Sequence, residues 1–515
     1  MLPRLLMLLA AVAGSASAQM LPRTVDGRPD LQGIWRAANR ASYDLEGHVS
    51  RHDMPAGLSV VDGGMIPYQP WAAEQKRANF QSRATADPLS NCFLPGVPRI
   101  MTMEFPFHLF QTDKHIAITF EWQQVYRLIY IDSEPPLYGG IESWMGDSRG
   151  RWEGDVLVVE VTDQNDRTWF DAAGNFHSNA LRVTERYSLR DANTIDYEAT
   201  IDDTEVFTQP WKLRLVLHRQ THVDRILEYQ CQAEKEEADG AFEREDRTWY
   251  PAPIPVDNEP FDADAGVDLS VPVTPSDVPR LANGAPDISG YFMADAGGAN
   301  YGLERHAGAI MLPPSRGQVI DPTDGTLPYQ SWARAERIDR GQPHRGYDDP
   351  TAHCFVAGIP RSHYVPAPFY ILQPPGYVVI LHERMSWRQI PLDGRDHLPN
   401  QLRLWQGDSV GRWEGDTLVV ESRNFNGKAW LNEVGDVISH AQTVVETFTP
   451  VSHTQVIYRA TVTDPIVYTR PWTMEIPFNR EDQELLEVAC LEDNGDLQHL
   501  KDVRDEYRAN QIHSD

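Results

Sequence analysis

Two glutamates embedded in apolar, strand-like runs are the residues of this chain best placed to move a proton. Glu121 lies in Thr119-Phe120-Glu121-Trp122 and Glu383 in Leu381-His382-Glu383-Arg384. An ionisable group in such a run must face solvent, a partner or a polar cavity. Inside a cavity, desolvation raises its pKa and suits it to general acid–base work. His177 and His382 are the imidazoles that would partner it. Arg99 and Arg361 can clamp a carboxylate with two parallel N–H bonds, or brace an aspartate such as Asp132 or Asp393. Trp122 and Trp169 offer flat surfaces for an aromatic ligand, although core packing uses such residues more often. The glutamates have a plainer reading too, as outward or ion-paired strand residues.

These residues occur in pairs because the chain contains its pattern twice. Trp144 to Glu160 reads WMGDSRGRWEGDVLVVE, and Trp405 to Glu421 repeats it except at Met145/Gln406, Arg149/Val410 and Val156/Thr417. Each copy reads as a tight turn at Trp-Glu-Gly-Asp feeding a buried β-branched strand. Turn geometry explains Glu153, Asp155, Glu414 and Asp416 without a catalytic role. Other pairs extend the duplication over nearly the whole chain: Pro67-Tyr68-Gln69 with Pro328-Tyr329-Gln330, and Thr208-Gln209-Pro210-Trp211 with Thr469-Arg470-Pro471-Trp472. Two positions break the equivalence. His177 faces Ile438, and His382 faces Phe120. A titratable residue kept in one copy is what a single active site leaves behind, and also what drift leaves.

Within each repeat, one short helix (Trp71 to Asn79; Trp332 to Arg340) and a cysteine loop precede about eight strands joined by turns. That order predicts an antiparallel meander closing into a small barrel. The fold class is therefore mainly β, two tandem homologous antiparallel barrels each with a short helix. The expected boundaries are a signal peptide at 1–18, a first barrel at 27–250, a linker at 251–285, a second barrel at 286–500 and a polar tail at 501–515. Pro251 to Pro286 holds eight prolines and no apolar periodicity, which marks it as the linker.

Gly33-Ile34-Trp35 before a run of meandering strands resembles the opening signature of the lipocalins, in which the tryptophan closes the barrel base. The second copy has Gly290-Tyr291-Phe292 there. The tandem arrangement is similar in architecture to two-barrel carotenoid-hydratase-like proteins. The motifs Cys-x-x-x-Gly-x-Pro-Arg, Arg-Trp-Glu-Gly-Asp-x-Leu-Val-Val-Glu and Thr-x-Pro-Trp resemble those of a group of exported bacterial proteins without an assigned reaction. The resemblance implies export and the repeat, and transfers no catalytic residue.

Arg4, the apolar run Leu5 to Ala13 and Ala16-Ser17-Ala18 form a secretory signal peptide with cleavage after Ala18, so a periplasmic or secreted location is expected. With 75 acidic against 46 basic residues, the net charge of −29 disfavours nucleic acid and anionic lipid as partners. No later stretch is long and apolar enough to insert in a membrane. Four cysteines occur, one early and one late in each repeat, so Cys92–Cys231 and Cys354–Cys490 are the natural disulfides, against a reading as four buried thiols. No metal-type spacing, phosphate-binding loop, dinucleotide fingerprint or nucleophile elbow occurs, and no metal or cofactor is expected. The leading functional expectation is a binder of a hydrophobic or aromatic small molecule in a barrel cavity. The alternatives are a cofactor-independent hydratase, lyase or isomerase acting there, with Glu121 or Glu383 moving the proton, and an assembly protein of the cell envelope.

Overall fold

The computed structural model describes residues 21–133, 136, 139–232, 278–309, 312–492 and 494–512. The expected signal peptide and most of the expected proline-rich linker lie outside these residues. Repeat 1 forms nine strands: β1 Gly33–Ala37, β2 Phe107–Gln111, β3 His115–Phe120, β4 Tyr126–Ile131, β5 Asp147–Glu153, β6 Val156–Thr162, β7 Arg182–Asp191, β8 Thr194–Asp202 and β9 Trp211–Arg219. They close in sequence order, with β1 pairing both β2 and β9. Repeat 2 forms β10 Gly290–Ala294, β11 Val319–Asp321, β12 Phe369–Leu372, β13 Tyr377–His382, β14 Ser386–Pro391, β15 Asp408–Glu414, β16 Thr417–Arg423, β17 Thr443–Pro450, β18 Gln455–Thr463 and β19 Trp472–Glu481. Its sheet runs in the same order but stops short of pairing β14 with β15, so this second barrel is nearly closed.

The fold is that of two tandem β-barrels, with two departures from the expected pattern. The barrel is not wholly antiparallel, because β4 and β5 pair in parallel through Tyr130–Arg149 and Ile131–Gly150. The duplicated stretch is also a whole hairpin rather than a turn before one strand. Asp147–Glu153 is itself a strand, and only Gly154-Asp155 turns, with Gly154 at φ +61°. The tip is pinned from outside the sheet, since Arg23 bonds Asp155 and its counterpart Arg280 bonds Asp416.

Strand alternation builds the interior. In β7, Val183, Glu185, Tyr187 and Leu189 point inward between exposed or half-buried neighbours. The expected base-closing tryptophan is fully buried, donates its ring N–H to the Leu31 carbonyl and carries the Arg219 guanidinium 4.3 Å from its ring centroid. Gly33 is required beside it, because a Cβ there would meet Arg219 Nη1 at 2.0 Å. Phe292 and Arg480 make the same pair in repeat 2 at 5.3 Å.

The helices differ in length from expectation. α1 runs over Pro70–Ala86, seven residues beyond the expected end at Asn79 and one before the expected start at Trp71, α2 is the single turn Arg99–Thr102, and α3 is Ser331–Arg340. The expected polar tail is helical: α4, Gly495–Ile512, stacks Tyr507 on His344 and places Arg504 3.9 Å over the Tyr347 ring. None of the described helices is long and apolar enough to cross a membrane. The disulfides are Cys92–Cys231 and Cys354–Cys490, one within each repeat. They suggest an oxidising, extracytoplasmic environment.

Strands β2, β3, β12 and β13 are buried on both faces, which is why their sequences are nearly continuous apolar runs. One face fills its own barrel. The other meets the second barrel in a seam that joins Ile34, Phe110, Ala117 and Tyr126 to Val379, Leu381 and Trp387. Trp387 donates its indole N–H to the Phe120 carbonyl, and Gln389 bonds Thr119 and His108. The segment Ile226–Gln230 is not a strand of the barrel but an arm that crosses the seam. Glu228 on it accepts the backbone N–H groups of Trp405 and Gln406. The equivalent arm of repeat 2 returns the contact, with Glu487 accepting from Trp144 and Met145.

Candidate functional site

Each barrel interior is crossed by a buried ion pair that the sequence reading did not single out. In barrel 1, Arg127 of β4 meets Glu185 of β7 through two bonds, at 3.1 and 2.7 Å. Tyr187 and Tyr197 donate their hydroxyls to the same carboxylate, and Arg127 also donates to Ser148. In barrel 2, Arg388 of β14 pairs with Glu446 of β17, Tyr458 donates to Glu446, and Ser409 and Ser422 accept from Arg388. Burial alone would raise Glu446, but Arg388 and its other donors bring it down to about 2. Two clefts touch these groups from the surface, one lined in part by Arg127 and Ser148 and one by Arg388 and Ser409. The interiors are filled by side chains such as Trp35, Phe107, Tyr187 and Trp472.

Barrel 2 differs from barrel 1 in one way that bears on chemistry. Phe448 stands where barrel 1 has Tyr187, and the missing hydroxyl is replaced by an imidazole from the turn after Arg361. Arg388 Nη1 donates to His363 Nε2 at 3.1 Å. His363 Nδ1 then lies 3.3 Å from His382 Nε2, and His382 Nδ1 lies 3.4 Å from Ser386 Oγ. The equivalents in repeat 1 are Met101 and Phe120, so this chain of groups exists once. Burial lowers the pKa of both histidines, with His382 pushed well below its usual value, so both rings are neutral at neutral pH.

His363 Nε2 stands between Arg388, which can only donate, and Glu446 Oε1 at 3.4 Å, which can only accept. With Nε2 bare, His363 Nδ1–H donates to His382 Nε2 and His382 keeps its own proton on Nδ1, facing Ser386; with Nε2 protonated, the chain runs the other way. A serine–histidine nucleophile needs the second arrangement, with a bare His382 Nδ1 to take the hydroxyl proton.

His382 and Ser386 form part of the lining of a cleft of about 80 Å³ at the seam. Equivalent residues of both repeats face it, Phe93 with Phe355 and Leu94 with Val356, together with Cys92, Cys354 and Cys490. The repeats contribute unlike groups elsewhere around it. Gln230 and Gln232 come from repeat 1, where repeat 2 supplies Ala489 and Leu491. The β13–β14 connection has three residues and the β3–β4 connection five, and Met385 stands in place of the Gln123–Gln124 pair. A larger cleft of about 220 Å³ beside the Glu487 arm is lined by Glu484, Glu487, Glu492 and Asp147. Its acids are already engaged by Arg149, Arg167 and the backbone of Trp144 and Met145.

The structure separates the expected site residues. Glu121 accepts the backbone N–H of Leu227 at 3.0 Å, and Glu383 that of Leu486 at 3.2 Å, so each glutamate ties down its own repeat's arm. His177 is buried elsewhere in barrel 1, with Nε2 2.6 Å from Thr168 Oγ1 and Nδ1 2.8 Å from the Ser178 carbonyl. His382 does have a titratable neighbour, but it is His363 rather than Glu383. Arg99 and Arg361 are bracing residues whose partners are Asp87 and Asp349, not Asp132 or Asp393. Those aspartates also accept the first N–H of the turn that leads into each cysteine. Trp122 stacks against Tyr229 at 5.1 Å and Phe105 at 5.2 Å, and Trp169 is half-buried in the loop before Phe170. Neither tryptophan lines the 80 Å³ cleft.

His363 was missed because its partner in the other repeat is a methionine and no pattern marks its turn. Arg127, Glu185, Arg388 and Glu446 left a signal, since each falls in the inward phase of its strand. A scan of the chain against protein-family models and against curated proteins finds no match.

Proposed function

We propose that this protein binds a small, largely apolar molecule in the 80 Å³ cleft at the seam, outside the cytoplasm. The observation that carries the reading is the unequal wall of that cleft. Two homologous repeats meet there, yet one brings glutamines and the other brings aliphatic side chains together with His382 and Ser386. A cleft that served only to pack the repeats would need no such difference. The volume is that of about three water molecules, so it holds the head of a ligand rather than a whole drug-sized molecule. Export rests on the sequence of residues 1–18 and is supported by the disulfides.

The reading is tested by native mass spectrometry of protein purified from its host, beside an Ala357→Trp variant that fills the cleft. A co-purifying small molecule present in the wild type and absent from the variant is expected. Equal occupancy in both would place the ligand elsewhere.

The histidine pair favours an acid–base enzyme as the second reading. A neutral imidazole can donate its N–H to polarise a carbonyl oxygen. In that case His382→Phe, which installs the residue of repeat 1, abolishes turnover while leaving ligand binding measurable.

A further inference from the structure

Two side-chain amides in the cleft have their orientation fixed by their neighbours. Gln232 Nε2 donates to the Cys354 carbonyl at 2.9 Å, which identifies its nitrogen. The same nitrogen lies 3.4 Å from Gln230 Oε1, which identifies that atom as the acceptor. Two atoms are then left over. Gln232 Oε1 and Gln230 Nε2 are buried and have no hydrogen-bond partner within the chain. The residues are 5% and 8% exposed, so bulk water does not solvate them freely. A buried polar atom left unpaired costs about 1–3 kcal/mol, and here two of opposite kind lie two residues apart. Both residues line the same cleft, one with an acceptor and one with a donor unpaired.

Resting on the proposed binding cleft, we propose that its ligand is a neutral molecule whose head carries a carbonyl beside an N–H, that is, a carboxamide or lactam. The carbonyl oxygen accepts from Gln230 Nε2, and the N–H donates to Gln232 Oε1. A carboxylate fits less well, because an ionised oxygen set against Gln232 Oε1 places two acceptors face to face. An amine fits less well for the converse reason at Gln230 Nε2. Arg384, exposed at the mouth, does not reverse this preference, because Glu383 and Glu433 both lie within its field. Phe93, Phe355, Val356 and Leu491 leave the body of the ligand in an apolar setting.

Repeat 2 supplies the control, since Leu491 occupies the position of Gln232. Gln232→Leu therefore introduces a residue that this position already tolerates in the other copy. Binding of isobutyramide, isobutyrate and isobutanol to the full mature protein is measured by ligand-observed NMR, for wild type, Gln232→Leu and Ala357→Trp. Isobutyramide is expected to bind at least tenfold more tightly than the other two, to lose at least tenfold in Gln232→Leu, and to lose binding in Ala357→Trp. If isobutyrate or isobutanol binds equally well and Gln232→Leu changes nothing while Ala357→Trp still blocks binding, the amide assignment is overturned and the cleft stands. If Ala357→Trp leaves binding intact, the cleft itself is overturned. No binding of isobutyramide to the wild type also overturns the amide assignment.

Discussion

Replacing Glu185 by glutamine removes one charge and almost no volume, and it is the sharpest test of how barrel 1 is held together. The carboxylate accepts four hydrogen bonds, from Arg127 Nη1 and Nη2, Tyr187 and Tyr197. Glu185 and Arg127 are 0% and 3% exposed. In Glu185→Gln the amide nitrogen falls on one of the oxygens, and whichever way it turns it opposes a donor. Arg127 then keeps a buried charge with no counter-charge. Breaking a buried pair in this way costs about 3–5 kcal/mol. For a barrel of this length that corresponds to a fall of about 6–20 °C in thermal midpoint. Calorimetry of wild type and variant measures the fall, and hydrogen exchange in β7 and β8 locates it. A fivefold variant, Arg127→Met, Ser148→Ala, Glu185→Leu, Tyr187→Phe and Tyr197→Phe, removes charges and hydroxyls together and should recover most of the loss, because every member of the network is then apolar. A Glu185→Gln protein within 1 kcal/mol of wild type would refute the reasoning, since the charge would then be reaching solvent or another partner.

The arm glutamates predict a pH dependence. Burial outweighs the two backbone bonds at each site and raises Glu228 and Glu487 to about 7. Their folded-state values lie above the unfolded value, so the stability they contribute is complete below about pH 4.5 and is lost as pH rises through 7. Thermal melts should fall across that window, and Glu228→Gln with Glu487→Gln should flatten the slope; a slope unchanged in the double variant would place its origin in other groups. His363→Met should cost about 1–2 kcal/mol by leaving an N–H of Arg388 unpaired, and adding Phe448→Tyr should restore it in thermal melts, because Tyr187 serves Arg127 that way in barrel 1. Gly174→Ala should cost more than 1 kcal/mol in denaturant titration, since φ is +83° and the new Cβ would meet Asn79 of α1 at 2.6 Å. Removing either disulfide by paired alanines should cost about 2–5 kcal/mol, read from the same titration.

The repeat, the two barrels and both disulfide pairings were legible because each depends on pattern: turn residues, alternation and paired motifs. Strand β5 was not. Its sequence, Asp147-Ser-Arg-Gly-Arg-Trp-Glu153, is polar and carries a glycine, yet pairing with β6 along its whole length makes it a strand. Gly150 is there because a side chain would strike Ile129 and Ile131 across the parallel pairing with β4. The seam left a faint trace in runs such as Tyr377 to Leu381, whose lack of alternation signals burial on both faces without naming the partner. The candidate site was half visible. Comparing the repeats singled out His382 as a point of difference, but that comparison pointed equally to His177, which packs with Thr168. Nothing in one sequence places Gln230 and Gln232 beside His382, since that proximity arises only when the arm folds back to its disulfide.

The crossed arms have a consequence for how such a chain arises and assembles. Each arm is bonded covalently to the barrel it leaves, through Cys231 or Cys490, and by a carboxylate to the barrel it reaches. This is the geometry of a symmetric dimer whose subunits have been joined end to end. Joining them turns an encounter between molecules into one within a chain, at a local concentration set by the connector rather than by expression. A protein cut between residues 251 and 277 should therefore elute as one species of unchanged size. Fusion also frees one copy to change alone. A homodimer must alter both faces at once, whereas this chain could acquire His363 and His382 on one side and keep glutamines on the other.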